Sequence, residues 1–176
     1  VRVYENVSGS WYQIGNDIDG EAIDDASGYS VSLSADGNTV AIGAPYNDAN
    51  GNASGHVRIY ENIGGSWSQI GQDILGEGSD DKSGFSVSLS SDGTTVAIGA
   101  YKNDGSYSNS GHVRIYQNIG GSWTQLGQDI DGEAADDYSG WSVSLSSDGN
   151  TVAIGAYGND ANGGNEYSSG HVRVFN

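Results

Sequence analysis

The sequence has no cysteine, no methionine and a single proline. Without cysteine there is no disulfide framework, no thiol nucleophile and no thiolate metal site. Cations are scarce too: 6 Lys and Arg stand against 23 Asp and Glu, a formal net charge of −17. That is the wrong sign for a phosphate-backbone binder, so nucleic acid is excluded as a partner. No apolar run approaches the roughly 20 residues of a membrane helix, so no membrane span is expected. Helical periodicity is missing, as is any N-cap followed by a helix-forming run.

What is present is 29 Gly, with abundant Ser, Asn and Asp, and 11 Tyr and 4 Trp interleaved with polar residues. The aromatics are too many for a disordered chain. The composition reads as short strands joined by tight turns, an all-β protein. The chain opens at Val1 rather than Met, as a processed chain or a segment of a longer one would.

Self-similarity organises the sequence. Gly55-His56-Val57-Arg58-Ile59-Tyr60 recurs unchanged at Gly111 to Tyr116, an offset of 56. It returns at Gly170 to Phe175 after an offset of 59, the extra residues falling in the loop around Gly163 to Glu166. Ser27 to Ser34 recurs at Ser83 to Ser90 and Ser139 to Ser146; Ala41 to Ala44 recurs at Ala97 and Ala153; Ser10-Trp11 recurs at Ser66 and Ser122.

Each unit of about 56 residues reads as four strands. Tyr29, Val31 and Leu33 alternate with Ser30, Ser32 and Ser34, a period of two with one apolar face. An Asp36-Gly37 step follows, repeated at Asp92-Gly93 and Asp148-Gly149, and signals a hairpin. Thr39 to Ala44 is the second strand and His56 to Tyr60 the third. The fourth, Trp67 to Ile74, alternates poorly around Gly71, as a bulged outer strand would. Four antiparallel strands per repeat predict β-propeller blades; a β-solenoid is the competing repeat architecture, but lacks the repeated hairpin. The expected division is 1–26 (third and fourth strands), 27–82, 83–138 and 139–176 (first to third strands). Three repeats do not close a ring. The expected partner is therefore a second copy, making half of a six-bladed ring each, or the rest of a longer propeller.

Candidate metal ligands recur in register. Glu21, Asp24 and Asp25, then Glu77, Asp80 and Asp81, then Glu133, Asp136 and Asp137 precede each first strand. Asn47-Asp48, Asn103-Asp104 and Asn159-Asp160 follow each second strand. Clustered carboxylates and amides suit calcium, a hard cation that takes oxygen ligands. The same residues suit Asx turns holding loop bases, so both readings stand. His56, His112 and His171 have no second His at ligand spacing and read as structural. Arg58, Arg114 and Arg173 are expected to pair with the repeated Asp between blades. Trp11, Trp67 and Trp123 are expected to pack between blades, and Tyr29, Phe85 and Trp141 to be core. Tyr107, Tyr138 and Tyr167 break the repeat and are the candidates for contact with a partner. No nucleophile elbow, phosphate loop or metalloprotease motif is present, and an active site usually breaks repeat symmetry. The chain is therefore expected not to be an enzyme.

Gly28-Tyr29-Ser30-Val31-Ser32, followed by Ala41-Ile42-Gly43-Ala44-Pro45, resembles the FG-GAP repeat; Ser83-Gly84-Phe85-Ser86-Val87 carries the Phe. That repeat builds the propeller of integrin α-subunits and of many secreted bacterial surface proteins. The resemblance implies a secreted or cell-surface adhesion module that binds an extracellular protein or glycan. Integrin-type repeats carry a calcium loop in the first hairpin. Here that hairpin, Ser34 to Thr39, keeps one carboxylate, Asp36, too few for calcium, so that role does not carry over. The alternative function is a self-assembling structural segment.

Overall fold

Period-two segments bounded by glycine turns become strands throughout. The computed structural model describes residues 1–160 and 168–176, and every regular element among them is a β-strand. A hairpin comes first, β1 (Tyr4–Val7) with β2 (Ser10–Gln13). The next sheet comprises β3 (Ser30–Leu33), β4 (Thr39–Ala44), β5 (His56–Ile63), β6 (Ser66–Gln69) and β7 (Ile74–Leu75). Its equivalent comprises β8 (Ser86–Leu89), β9 (Thr95–Ala100), β10 (His112–Ile119), β11 (Ser122–Gln125) and β12 (Ile130–Asp131). The last sheet is β13 (Ser139–Leu145), β14 (Val152–Ala156) and β15 (His171–Phe175). All pairings between these strands are antiparallel and follow chain order, except that β7 pairs with β5 and β12 with β10, and the sheets are open.

The Asp-Gly steps turn as expected. Asp36 accepts from the Ser34 hydroxyl at 2.6 Å and the Asn38 amide at 2.9 Å, and Gly37 has φ of +73°. The third strand runs three residues further than expected, to Ile63. The fourth is split. β6 and β7 both pair with β5, and the chain breaks between them at Gly71, at φ +70°. A Cβ there would lie 2.8 Å from the Gly121 carbonyl oxygen of the next sheet, so the bulge is also a close approach between sheets.

Sheet register separates two unlike faces. Ala41, Gly43, Val57 and Ile59 share one face with Ser30 and Ser32. Val31, Leu33, Val40, Ile42 and Tyr60 share the other with His56 and Arg58. The small face of one sheet packs on the large face of the next. Ala41, Val57, Ile59 and Ile74 form one core cluster with Leu89, Val96, Ile98 and Trp123. Ala97, Val113 and Ile115 repeat this with Val152 and Ile154. Burying branched side chains against small ones brings backbones close: a Cβ on Gly43 would stand 2.0 Å from the Gly84 oxygen. In the first two full sheets the serine face is half-buried and bonded to the next sheet. Ser30 donates to the Gly84 carbonyl at 2.7 Å, and Ser32 accepts from the Leu89 amide at 2.9 Å. Ser86 and Ser88 do the same toward the third sheet. The innermost strands are thus joined by hydroxyl bonds instead of backbone ladders.

Candidate functional site

The connection before each first strand and the loop after each second strand meet. Asp25, Asp81 and Asp137 are buried and accept from Asn47, Asn103 and Asn159 at 2.9, 2.9 and 3.1 Å. Backbone amides of Ala22, Gly78 and Ala134 donate to the same carboxylates. The Asn47 oxygen in turn accepts from Ala49, and the Asn103 oxygen from Gly105. Two of the residue sets proposed from sequence therefore come together, as interlocked turns in which the amide groups are already engaged. Asp48 and Asp104 accept from the Ala53 and Asn109 amides at 2.7 Å, closing their loops. Asp24, Asp80 and Asp136 lie at positive φ on the surface, and Asp80 pairs with Lys82 at 2.7 Å. Asp160 is exposed.

A different set of groups converges with ligand atoms open. Glu21, His56 and Asp73 bring one ligand atom each within 4.8 Å of one another, as do Glu77, His112 and Asp129. Sequence reasoning missed these sets because their members lie 35 and 17 residues apart: the Glu was weighed with its neighbouring Asp residues, the His alone, and Asp73 and Asp129 not at all. His56 and His112 sit at the start of the third strands, 1% exposed, and neither Nδ1 has a hydrogen-bond partner. Burial holds both imidazoles below their ordinary pKa; Arg58 and Arg114 push the same way, and Asp73 and Asp129 oppose. Glu77 is pushed up, chiefly by burial, with Asp129, Asp81 and Asp131 adding to it against Arg114. Each Arg lies on the face opposite Val57 or Val113, as expected, but its acidic partner is a Glu: Arg58 meets Glu21 and Arg114 meets Glu77, both at 3.5 Å. Their other ends donate to the Asp19 and Leu75 carbonyls at 2.8 and 2.7 Å.

The aromatic residues divide differently from expectation. Trp67 and Trp123 do pack between sheets, donating to the Ile14 and Ile70 carbonyls, both at 2.9 Å. Tyr29, Phe85 and Trp141 are not core. They start the innermost strands and form a half-exposed row, with ring centroids 4.8 and 4.6 Å apart. They share the apolar parity of Val31, which is itself 54% exposed, and as strand-start residues they lie at the rim. Tyr101 and Tyr157 flank the row at 4.9 and 4.4 Å from Trp141. Tyr138 joins it, stacked on Tyr157 at 5.2 Å. Tyr107 is 55% exposed and stands apart, and Tyr167 lies outside the described residues.

The family model of the FG-GAP repeat matches residues 17–60 and 130–175, just over half of the chain. The chain belongs to the FG-GAP repeat family. No curated protein matches it. Among solved structures, the periplasmic gluconolactonase of Pseudomonas aeruginosa is similar at 17% identity with a TM-score of 0.56, over 90% of this chain and 44% of that one. A hydrazine synthase of Kuenenia stuttgartiensis is similar at 12% identity, TM-score 0.46, over 81% of this chain and 33% of that one. The FG-GAP chain thus spans less than half the length of either.

The likeness to the gluconolactonase corrects one expectation. Repeat symmetry and the lack of a catalytic motif pointed away from an enzyme. The same fold carries an enzyme in that protein, so neither feature marks a chain of this fold as non-catalytic.

Proposed function

We propose that the chain is part of an extracellular or periplasmic propeller that acts as an interaction module, docking a protein or glycan on the aromatic row. The observation that carries this reading is the unbroken run Tyr29–Phe85–Trp141, flanked by Tyr101 and Tyr157, of which Tyr29, Trp141 and Tyr157 are 51%, 39% and 49% exposed. Half-exposed tyrosine and tryptophan offer large, rigid contact area at low conformational cost. FG-GAP membership supports the interaction role. No described helix is long and apolar enough to cross a membrane. A glycan array and a surface-protein panel probed with the intact chain test the proposal, with Trp141→Ala and Tyr29→Ala as controls. Binding that survives both substitutions removes the row from the reading. Calcium assistance at the loop bases is its weaker part, because Asp25, Asp81 and Asp137 already accept N–H donors. Calorimetric titration with calcium decides it, and no heat eliminates it.

Self-assembly is a second reading with its own observation. Val172 and Val174 take the positions of Val57 and Ile59, yet are 67% and 65% exposed where those are 0% and 1%. Val31 and Leu33, on the opposite face at the other end, are 54% and 49% exposed, whereas Leu89 is 7%. A second copy, or more of the same propeller, would cover both ends with contacts already used inside the chain. Mass by light scattering tests it, and a monomer at high concentration refutes pairing of this chain with itself.

A further inference from the structure

We infer that Glu21, His56 and Asp73, and again Glu77, His112 and Asp129, form two equivalent sites for a zinc-class divalent ion. Each histidine is 1% exposed and leaves Nδ1 without a hydrogen-bond partner. A buried polar atom of this kind normally finds one. His112 Nδ1 instead faces Glu77 Oε2 at 3.8 Å and Asp129 Oδ2 at 3.7 Å. His56 Nδ1 faces Glu21 Oε2 at 3.8 Å. These gaps are too long for hydrogen bonds, which close to about 3 Å. They are close to the spacing of two ligands on one tetrahedral ion, about 3.4 Å when each bond is about 2.1 Å.

The surrounding groups aim the ligands. Asp73 and Asp129 each accept from Gln69 or Gln125 through Oδ1 at 2.6 Å, which turns Oδ2 toward the imidazole of the second site. Arg58 and Arg114 lie against Oε1 of Glu21 and Glu77, leaving Oε2 for the ion. Such outer contacts are how proteins orient metal ligands. The carboxylates are 44%, 46% and 31% exposed at Glu21, Glu77 and Asp129, so solvent reaches the site and these side chains have room to close in. Two carboxylates against one guanidinium leave one negative charge uncompensated, which favours a cation at the site. One imidazole with two carboxylates suits zinc better than calcium, which takes six to eight oxygens. Glu133 and His171 repeat the first two ligands at 3.7 Å, with no third acidic ligand among the described residues.

The test is calorimetric titration of the chelator-treated intact chain with zinc chloride at pH 7. Two ions per chain are expected. Asp73→Asn and Asp129→Asn should each remove one, and the double variant both, with circular dichroism unchanged. Glu21→Gln and Glu77→Gln provide a second pair that avoids the buried histidines, and each should weaken its own site at least tenfold. Calcium at equal concentration should not displace the zinc. No zinc binding, two ions retained by the double variant, or displacement by calcium would each overturn the inference.

Discussion

Trp11, Trp67 and Trp123 provide three versions of one perturbation. Each sits opposite an Asn on the neighbouring strand of its own sheet: Asn6, Asn62 and Asn118. The environment within the sheet is therefore held constant while cover from the adjacent sheet changes. Trp11 is 68% exposed, Trp67 is half-buried and Trp123 is 3% exposed. Trp123→Ala removes the indole from the Ile59–Leu89–Ile98 cluster and its bond to the Ile70 carbonyl. Truncating a buried Trp costs about 3–5 kcal/mol. At about 2–4 °C per kcal/mol for a chain of this size, the Tm falls by roughly 6–20 °C. Trp67→Ala should cost about half as much, in proportion to the area it covers. Trp11→Ala should stay within about 0.5 kcal/mol, as surface changes do. Urea unfolding followed by circular dichroism gives all three values on one scale. Equal losses at the three positions would refute the reasoning, because the indole would then act within its own sheet and not between sheets.

Further outcomes follow from the same contacts. Gly99→Ala sets a Cβ 2.1 Å from the Gly140 oxygen and should cost about 2 kcal/mol or more by forcing two sheets apart, read as a fall in urea midpoint. Asp92→Ala removes the acceptor of the Ser90 hydroxyl at 2.6 Å and the Thr94 amide at 3.0 Å, and should cost about 1 kcal/mol. The carboxylates of Asp36 and Asp92 are held below the usual range by their Ser and backbone donors. Their contribution is full above a pH of about 3.9 and is lost as pH falls through the folded value, so the stability gap between the parent and Asp92→Ala should narrow as pH falls below about 3.9. The buried His56 and His112 are pushed down by burial, so the unfolded chain takes up protons first. Stability should therefore be constant above a pH of about 6.5 and decline as pH drops below it, and His112→Gln should flatten that slope.

Much of the fold was legible because each repeat states its strands three times. Alternation in Ser30 to Leu33, the Asp36-Gly37 turn and the awkward Gly71 each gave the correct local structure. The faces were harder. Alternation marked Ser30 and Ser32 as polar, but not that their hydroxyls would bridge to Gly84 and Leu89 of the next sheet. Tyr29, Phe85 and Trp141 share the apolar parity of Val31, and only the position of a strand's end relative to its neighbour leaves them at the rim. Among site residues, Asp25 with Asn47 was found by recurrence, while their direct contact across 22 positions was not.

Recurrence also obscured the strongest chemical feature. A site built from one connection, the third strand and the bulged fourth strand draws ligands from positions far apart in sequence, so no local spacing announces it. Treating each His as one residue hid the fact that Glu and Asp recur with it at fixed offsets of 35 and 17. Offsets of 35 and 17 to two acidic residues, shared by His56 and His112 in a chain with only three His, are the signal that could have identified it. The physical reason the Glu and His of such a set recur together in all three copies is the inward-facing Arg. Burying Arg58 or Arg114 requires a counter-charge, and Glu21 or Glu77 supplies it through one oxygen only. The second oxygen, left toward the imidazole, is then a by-product of the packing between sheets. The same Glu–Arg packing therefore sets a carboxylate oxygen beside the imidazole in all three copies, and Asp73 and Asp129 complete the set in two of them.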